Sequence, residues 1–307
     1  MFDILGMCVK LENVITAYAK VNLHLEVLNL RNDSYHNIFS VMAHIGLNDL
    51  LKLDKFVIIK KFNGIEIDIK PLKGSFSSII EELPVEKNLI FKAAQKLSTK
   101  LNKSFKADFS ISKNIPAGAG LGGGSADAAA ALVLLCNSMG VSLSDCMDFN
   151  IGADVPFALC KGTAICEGIG EQITQLPIVL PHFVLLVNDG YHIDTKWAYE
   201  ELNRSTNFKV DESEIMQKKE EIQKAFNDKK WNIFFDLCTN DFEEKVFYKY
   251  PKLAFIKEKL MEYGADFSIM TGSGSTIIGL FSNEDKANIV AEKMRNKNKW
   301  VYLTKFV

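Results

Sequence analysis

From Asn13 to Leu28 the chain reads as extended, and from Leu51 to Lys70 apolar and polar residues alternate on either side of Asn63-Gly64. Both turn residues tolerate positive φ, so this stretch predicts a hairpin. Asn88 stands as the N-cap of a helix through Lys100, with Leu89, Ala93, Leu97 and Leu101 on one stripe. A strand is expected from Phe105 to Ser112. Gly122 to Gly124 cannot sit deep in a helix, but Ala126 to Cys136 holds almost only strong helix formers and apolar residues. A helix is therefore expected to start at the last of those glycines and to be buried on most sides. VSLSDCMDF, at 141 to 149, reads as a capped helix start.

The second half predicts a strand around Phe183 to Asn188, a charged stretch Glu212 to Lys229 that reads as a solvated helix, and a helix from Lys252 to Tyr263 closed by Gly264. A β-turn-β unit follows in FSIMTGSGSTIIGLF, then a helix near Glu284 to Arg295 and a last strand in WVYLTKFV. Strands and helices mixed in this order suggest an α+β sandwich. At 307 residues the chain exceeds what one core usually organises. Two domains sharing a ligand cleft are expected, divided as 1–165 and 166–307.

A hydrophobic fraction of 48%, a charged fraction of 24% and a net charge of -2 are those of an ordinary soluble protein and give no sign of a nucleic-acid-binding surface. The six cysteines (Cys8, Cys136, Cys146, Cys160, Cys166, Cys238) are scattered without a CxxC pair, which argues against a zinc site or a disulfide framework and for reduced thiols in a cytoplasmic protein. Asp3 and the lack of a long apolar run near the N-terminus argue against a signal peptide. The longest apolar run elsewhere, Leu176 to Val187, contains Pro177 and Pro181, and no membrane span is expected.

Candidate chemistry centres on PAGAGLGGGSADAAAALVLLC at 116 to 136. Gly118, Gly120 and Gly123 satisfy GxGxxG, but Lys113, Asn114 and Pro116 interrupt the apolar strand that a dinucleotide site needs before its glycines. A P-loop fails at Gly124, which stands where lysine belongs before Ser125. The protein-kinase reading lacks HRD and DFG. What remains is common to all three: free amides at a helix N-terminus attract anionic oxygens, and glycine lets the backbone come close to phosphates. A flexible loop or a helix-packing element is the bland alternative.

PAGAGLGGGSADAAA resembles the second motif of the GHMP kinases (galactose, homoserine, mevalonate and phosphomevalonate kinases), which bind ATP with such a loop. AYAKVNLHLEV at 17 to 27 is similar to the first motif and MTGSGST at 270 to 276 to the third. RNDSYH, EKNLI, SISKNIP, GADVPFAL and GTAICEGIGE resemble, in order and spacing, the branch that phosphorylates the 2-hydroxyl of 4-diphosphocytidyl-2-C-methyl-D-erythritol for isoprenoid precursor synthesis. The resemblance spans nearly the whole chain. It implies a two-domain α+β fold, with a ribosomal-protein-S5-like N-terminal domain and a ferredoxin-like α/β sandwich after it.

The same resemblance implies ATP as phosphoryl donor with Mg2+, a small-molecule acceptor, and neither nucleic acid nor membrane as partner; a homodimer is compatible with it. Asp154 of GADVPF is the expected acceptor or orienter of the hydroxyl proton, and Lys20 its matching cation; their bland readings are a turn cap and a strand-edge lysine. Asn22, two residues from Lys20 and so on the same strand face, is expected to position the hydroxyl. Pro116, Ala117, Gly118, Ala119, Gly120, Leu121, Gly122, Gly123, Gly124, Ser125 and Ala126 should wrap the triphosphate, with Ser125 toward magnesium and Asp127 supporting the helix N-terminus. Asn88 and Lys113 match positions near the nucleotide; otherwise they are a helix cap and a surface lysine. Tyr35 and His36 are expected on the cytosine, with Tyr199 completing a sandwich and Trp197 close by. Ser34 replaces the usual glycine of that turn. His24, His44, His182 and His192 match nothing and are treated as structural. Another GHMP kinase, or a non-catalytic sensor on the same fold, are the alternatives.

Overall fold

The computed structural model describes residues 13–59, 64–144 and 151–307. They cluster into two compact units that interleave along the chain. The first holds the described parts of Met1–Ala19, Leu47–Ala117 and Gly122–Lys161; the second holds Lys20–Gly46, Gly118–Leu121 and Gly162–Val307. Two long paired strands, β1 (Val14–Leu30) and β2 (His36–Ile59), each run from one unit into the other. The compact units thus do not divide at a single point in sequence, because the start of the chain contributes strands to both.

In the first unit the C-terminal half of β2 pairs antiparallel with β4 (Ser104–Ser112), which pairs parallel with β3 (Ile65–Pro71). β4 thus separates the two strands expected to form a hairpin. Phe105, Ala107, Phe109 and Ile111 are buried along β4, whereas β3 alternates between exposed and half-buried residues, so the more apolar strand takes the interior of the sheet. Asn63 itself lies outside the described residues.

Helices α2 (Leu89–Leu101) and α3 (Gly123–Met139) share the core of this unit with β4; α1 (Ile79–Glu82) and α4 (Val155–Ala158) are single turns. The side chain of Asn88 accepts from Ile90 N, as its capping role requires. α3 is buried almost throughout and starts at Gly123, one residue earlier than expected, after Gly122 in a left-handed conformation. Of VSLSDCMDF, residues 141–144 form no helix and the rest lies outside the described residues.

In the second unit the N-terminal half of β2 pairs with β5 (Thr163–Gly168), and β5 with β6 (Gln172–Leu176). Ile38 to Ile45 form an unbroken buried run without alternation, which is why period-two reading missed that half of β2. A separate antiparallel sheet has the order β10-β7-β9-β8, from β7 (Phe183–Asn188), β8 (Phe267–Met270), β9 (Ile277–Phe281) and β10 (Trp300–Lys305). With α9 (Pro251–Glu262) and α10 (Glu284–Arg295) it follows the β-α-β-β-α-β course of the expected ferredoxin-like sandwich.

Between β7 and α9 the chain inserts α5 (Thr195–Glu201), α6 (Glu212–Asn227), α7 (Trp231–Leu237) and α8 (Glu243–Lys249). The charged stretch becomes α6, which is more than a solvated helix. Ile222, Ala225 and Phe226 are buried, Lys218 pairs with Glu26 of β1, and Lys219 lies 2.5 Å from Glu167 of β5. No helix among the described residues is long and apolar enough to cross a membrane.

Candidate active site

Within the second unit, β1 brings Lys20 and Asn22 onto one buried face, at 7% and 2% exposure. The Lys20 ammonium donates to Asn22 Oδ1 at 2.7 Å, and Asn22 Nδ2 donates to Ser40 Oγ at 2.9 Å. Ser40 passes the chain on to the carbonyl of His24 at 2.7 Å. Every polar atom of the Asn22 amide is therefore committed to protein, and the residue fixes the lysine rather than standing beside it.

The same strand is tied to the glycine loop and to the third motif. Lys20 N donates to the Leu121 carbonyl at 3.0 Å, and Asn22 N to Thr271 Oγ1 at 2.9 Å. Thr271 Oγ1 in turn lies 3.3 Å from the Gly120 carbonyl. Gly120 has φ +78, and a Cβ there would meet the Thr271 carbonyl at 2.3 Å. At this position glycine is required for close approach of another protein segment, in addition to any phosphate.

Polar side chains that sequence reading did not single out hold the 271–276 turn. Asn240 Nδ2 donates to the carbonyls of Met270 (2.6 Å) and Gly272 (2.9 Å), and Asn188 Nδ2 to Ser275 Oγ and Thr276 Oγ1. Ser275 Oγ donates to the Tyr191 carbonyl at 2.6 Å, and Thr195 Oγ1 meets Ser273 Oγ at 3.0 Å. His192 lies in the segment so anchored. It is exposed, and its Nδ1 would sit 3.2 Å from a Cβ on Gly118, which places an imidazole against the glycine loop where a purely structural histidine was expected. His24 and His44, expected to be structural, are buried: burial holds His24 down at about 3, with Lys218 adding to it, and holds His44 at about 4.

The residues expected on the acceptor side also gather in this unit. His36 and Tyr199 stack with ring centroids 5.0 Å apart, and His36 Nε2 lies 3.1 Å from the Arg204 carbonyl. Trp197 is engaged elsewhere, under the Lys249 ammonium and bonded to Glu201. Tyr35 is 51% exposed and ends the turn in which Ser34 adopts φ +69. Serine thus occupies the left-handed conformation for which glycine is the usual residue. Arg31 N donates to the Tyr35 carbonyl at 2.7 Å, and Asp33 Oδ1 accepts from Tyr35 N at 3.1 Å. Beside this turn, Asn29, Leu30, Arg31, Asn32, Asp33 and Thr206 line an open cavity of about 450 Å3.

In the first unit, Asp154 is the half-buried residue before α4, and its side chain makes no capping hydrogen bond to that turn, so the bland capping role is not realised. Pro116 and Ala117 lead into the loop; Gly118, Ala119, Gly120 and Leu121 cluster with the second unit; Gly122, Gly123, Gly124, Ser125 and Ala126 open α3, whose first turn carries no side-chain cap. Its first amides therefore lack intrahelical partners. Lys113 is not a surface residue. It is 5% exposed, with its ammonium between the carboxylates of Asp49 and Asp127.

No group of three or more His, Cys, Asp or Glu side chains that could hold a metal occurs among the described residues. Magnesium carried by a nucleotide needs few protein ligands, because phosphates and water supply most of its shell. The half-buried Ser125 hydroxyl suits that arrangement; Asp127, buried and held by Lys113, does not.

Residues 88–162 match the family described as GHMP kinases N terminal domain, and residues 222–299 match GHMP kinases C terminal. A 4-diphosphocytidyl-2-C-methyl-D-erythritol kinase of Clostridium novyi is 34% identical over 296 residues, covering 95% of this chain and 99% of the relative. One from Geobacter sp. is 33% identical, covering 93% and 95%. A crystal structure of 4-(cytidine 5'-diphospho)-2C-methyl-D-erythritol kinase superposes with a TM-score of 0.69 at 27% identity, covering 95% of this chain and 98% of that one. A homoserine kinase from Cytophaga hutchinsonii reaches the same TM-score at 15% identity, which is likeness of fold alone. The chain belongs to the GHMP kinases, in the family of the 4-diphosphocytidyl-2-C-methyl-D-erythritol kinases.

Proposed function

We propose that the protein transfers the γ-phosphoryl group of ATP to the 2-hydroxyl of 4-diphosphocytidyl-2-C-methyl-D-erythritol, giving the 2-phosphate and ADP in isoprenoid precursor synthesis. One observation carries this reading: the strand that bears the buried Lys20 ammonium is hydrogen-bonded through its own backbone to Leu121 of the glycine loop. A fixed cation beside a loop that holds phosphates is what phosphoryl transfer requires, since catalysis here is mostly positioning and charge stabilisation.

In this reading the open amides of the α3 N-terminus and the loop Pro116–Ala126 hold the triphosphate, with Mg2+ arriving on the nucleotide and touching Ser125. Asn88, which caps α2, contributes to the nucleotide side through the start of that helix. Lys20 neutralises charge on the transferring group, Asn22 aims Lys20, and Asp154 accepts or orients the proton of the acceptor hydroxyl. Tyr35, His36 and Tyr199 take the cytosine; His36 and Tyr199 stack on each other at 5.0 Å, so the base lies against an outer face of that pair rather than between the two rings. Matches on either side of residue 165 support the division 1–165 and 166–307 as the family's two domains, although the compact units follow a different partition. A cytoplasmic location is part of the same proposal.

The acceptor decides between this reading and another GHMP kinase. Mevalonate and homoserine have no base for His36 and Tyr199 to stack on. Steady-state assays with ATP should give a kcat/KM for the cytidine-linked acceptor at least 1000-fold, about 4 kcal/mol, above that for mevalonate or homoserine. Equal rates on all three would reject the assignment.

A further inference from the structure

A buried charged cluster in the first unit lies at the base of the glycine loop rather than in it. Asp49, fully buried in the middle of β2, accepts with Oδ1 from Asn114 N at 2.5 Å and from Ile115 N at 2.9 Å. Its Oδ2 takes the Lys113 ammonium, which also donates to Asp127 Oδ2 at 2.6 Å. Asn114 and Ile115 are the last residues before the loop, and Asp127 stands in the α3 helix that leaves it. One ammonium therefore spans the entry and the exit.

The geometry around it is closed on every side. The backbone of Lys113 is gripped by the 74–77 segment, with Lys113 N donating to Ser77 Oγ at 3.0 Å and Phe76 N to the Lys113 carbonyl at 2.8 Å. A Cβ on Gly123 would lie 2.8 Å from Ile115 Cγ2 and 3.1 Å from Lys113 Nζ, so the two ends of the loop press together over the lysine. Burial pushes Asp127 up to about 8 despite the Lys113 charge, and its Oδ1 has no hydrogen-bond partner. Burial opposes the Lys113 ammonium, but the two carboxylates together hold its value above the ordinary one. With Asp127 carrying a proton, one ammonium and one carboxylate balance, which is the low-cost state for a buried trio.

We propose that Lys113, Asp49 and Asp127 are positioning residues that fasten both ends of the nucleotide loop, so that the loop's amides are preorganised for the triphosphate without any of the three touching it. Closing the base removes the entropy that a free loop would lose on gripping a ligand. The inference rests on reading the loop as the nucleotide site and assigns to Lys113 a place behind the loop, not on the phosphates.

Three variants separate positioning from mere stability. Asp127→Asn mimics the protonated carboxyl and keeps an acceptor for Lys113. Asp127→Ala removes the tie to α3. Lys113→Met with Asp127→Leu and Asp49→Asn removes all three charges, fills most of the space with apolar atoms and keeps an acceptor for Asn114 N and Ile115 N. Each is titrated with a non-hydrolysable ATP analogue and with cytidine diphosphate, alongside a thermal melt. The proposal expects Asp127→Asn to bind the analogue within about twofold of wild type, and Asp127→Ala to bind it about tenfold more weakly with cytidine diphosphate binding unchanged. It expects the charge-free triple variant to regain thermal stability without regaining analogue affinity. Analogue affinity that follows the melting temperature across the three variants, or equal losses for both ligands, would overturn it. If wild type bound no analogue, the nucleotide reading itself would fall, and this inference with it; wild-type binding matched by Asp127→Ala would sink the inference alone.

Discussion

Lys20 and Asn22 lie two residues apart on one face of β1, and the ammonium of the first rests 2.7 Å from the side-chain oxygen of the second. Asn22 is held in turn by Ser40 and, through its backbone, by Thr271. In the proposed reaction, a cation aimed in this way keeps its place as charge moves during phosphoryl transfer. Asn22→Ala should lower kcat by about 10- to 100-fold, because a misaimed group loses most of its advantage. Affinity for an ATP analogue should stay within about twofold. It should also cost about 1–3 kcal/mol of stability by leaving Ser40 and Lys20 short of a partner. Urea unfolding and steady-state kinetics on the same preparation check both effects.

Ser34 holds φ +69 without the freedom of glycine. Relief of that conformation offsets the entropy glycine adds to the unfolded chain, so Ser34→Gly should stabilise the protein by up to about 1 kcal/mol. The urea midpoint measures it; a destabilised variant would show that the serine hydroxyl contributes more than its backbone costs.

Gly120 and Gly140 have similar positive φ values, +78 and +66, but opposite surroundings. A Cβ at 120 would collide with the Thr271 carbonyl, whereas at 140 nothing lies within 4 Å. Gly140→Ala should cost only the left-handed backbone term, about 1–2 kcal/mol, with normal nucleotide binding. Gly120→Ala should cost more and should abolish binding of the ATP analogue, because the tie between the loop and the third motif must open. Calorimetric titration of the pair distinguishes steric from conformational demand.

Acid stability follows from His24 and His44, both buried and held well below the ordinary 6.5, His44 at about 4. The unfolded chain binds those protons more readily, so their contribution is complete above pH 6.5 and lost as pH falls toward the folded values. For His44 alone the displacement is worth about 3 kcal/mol by pH 4. His44→Gln should flatten the fall in unfolding free energy between pH 6.5 and 4; an unchanged slope would place the protonation elsewhere.

The glycine loop, the Asn88 cap, α3 and the β7-to-β10 elements were legible because each carries a local signal: a turn residue, a cap or a clean period. The hairpin failed for a non-local reason, since nothing near Asn63-Gly64 announces that β4 will lie between its two strands. Ile38–Ile45 was missed because a strand buried on both faces has no period to read. Within the site, Lys20 and Asp154 came from family motifs, while Ser40, Asn240, Thr271 and His192 act through partners up to 249 residues away, as Thr271 does on Asn22. Lys113 read as a surface residue because lysine usually is one; its two carboxylates come from distant segments, Asp49 64 residues earlier and Asp127 14 residues later.

The central claim is phosphoryl transfer to one hydroxyl of a cytidine-linked acceptor with Asp154 at the proton. The most direct test follows ATP and 4-diphosphocytidyl-2-C-methyl-D-erythritol by phosphorus NMR, with wild type and Asp154→Asn side by side. Wild type should produce ADP and a single new phosphomonoester at the 2-position, while Asp154→Asn should bind the ATP analogue normally and turn over at least about 1000-fold more slowly. No phosphomonoester from wild type, or equal turnover by the two proteins, would contradict the account.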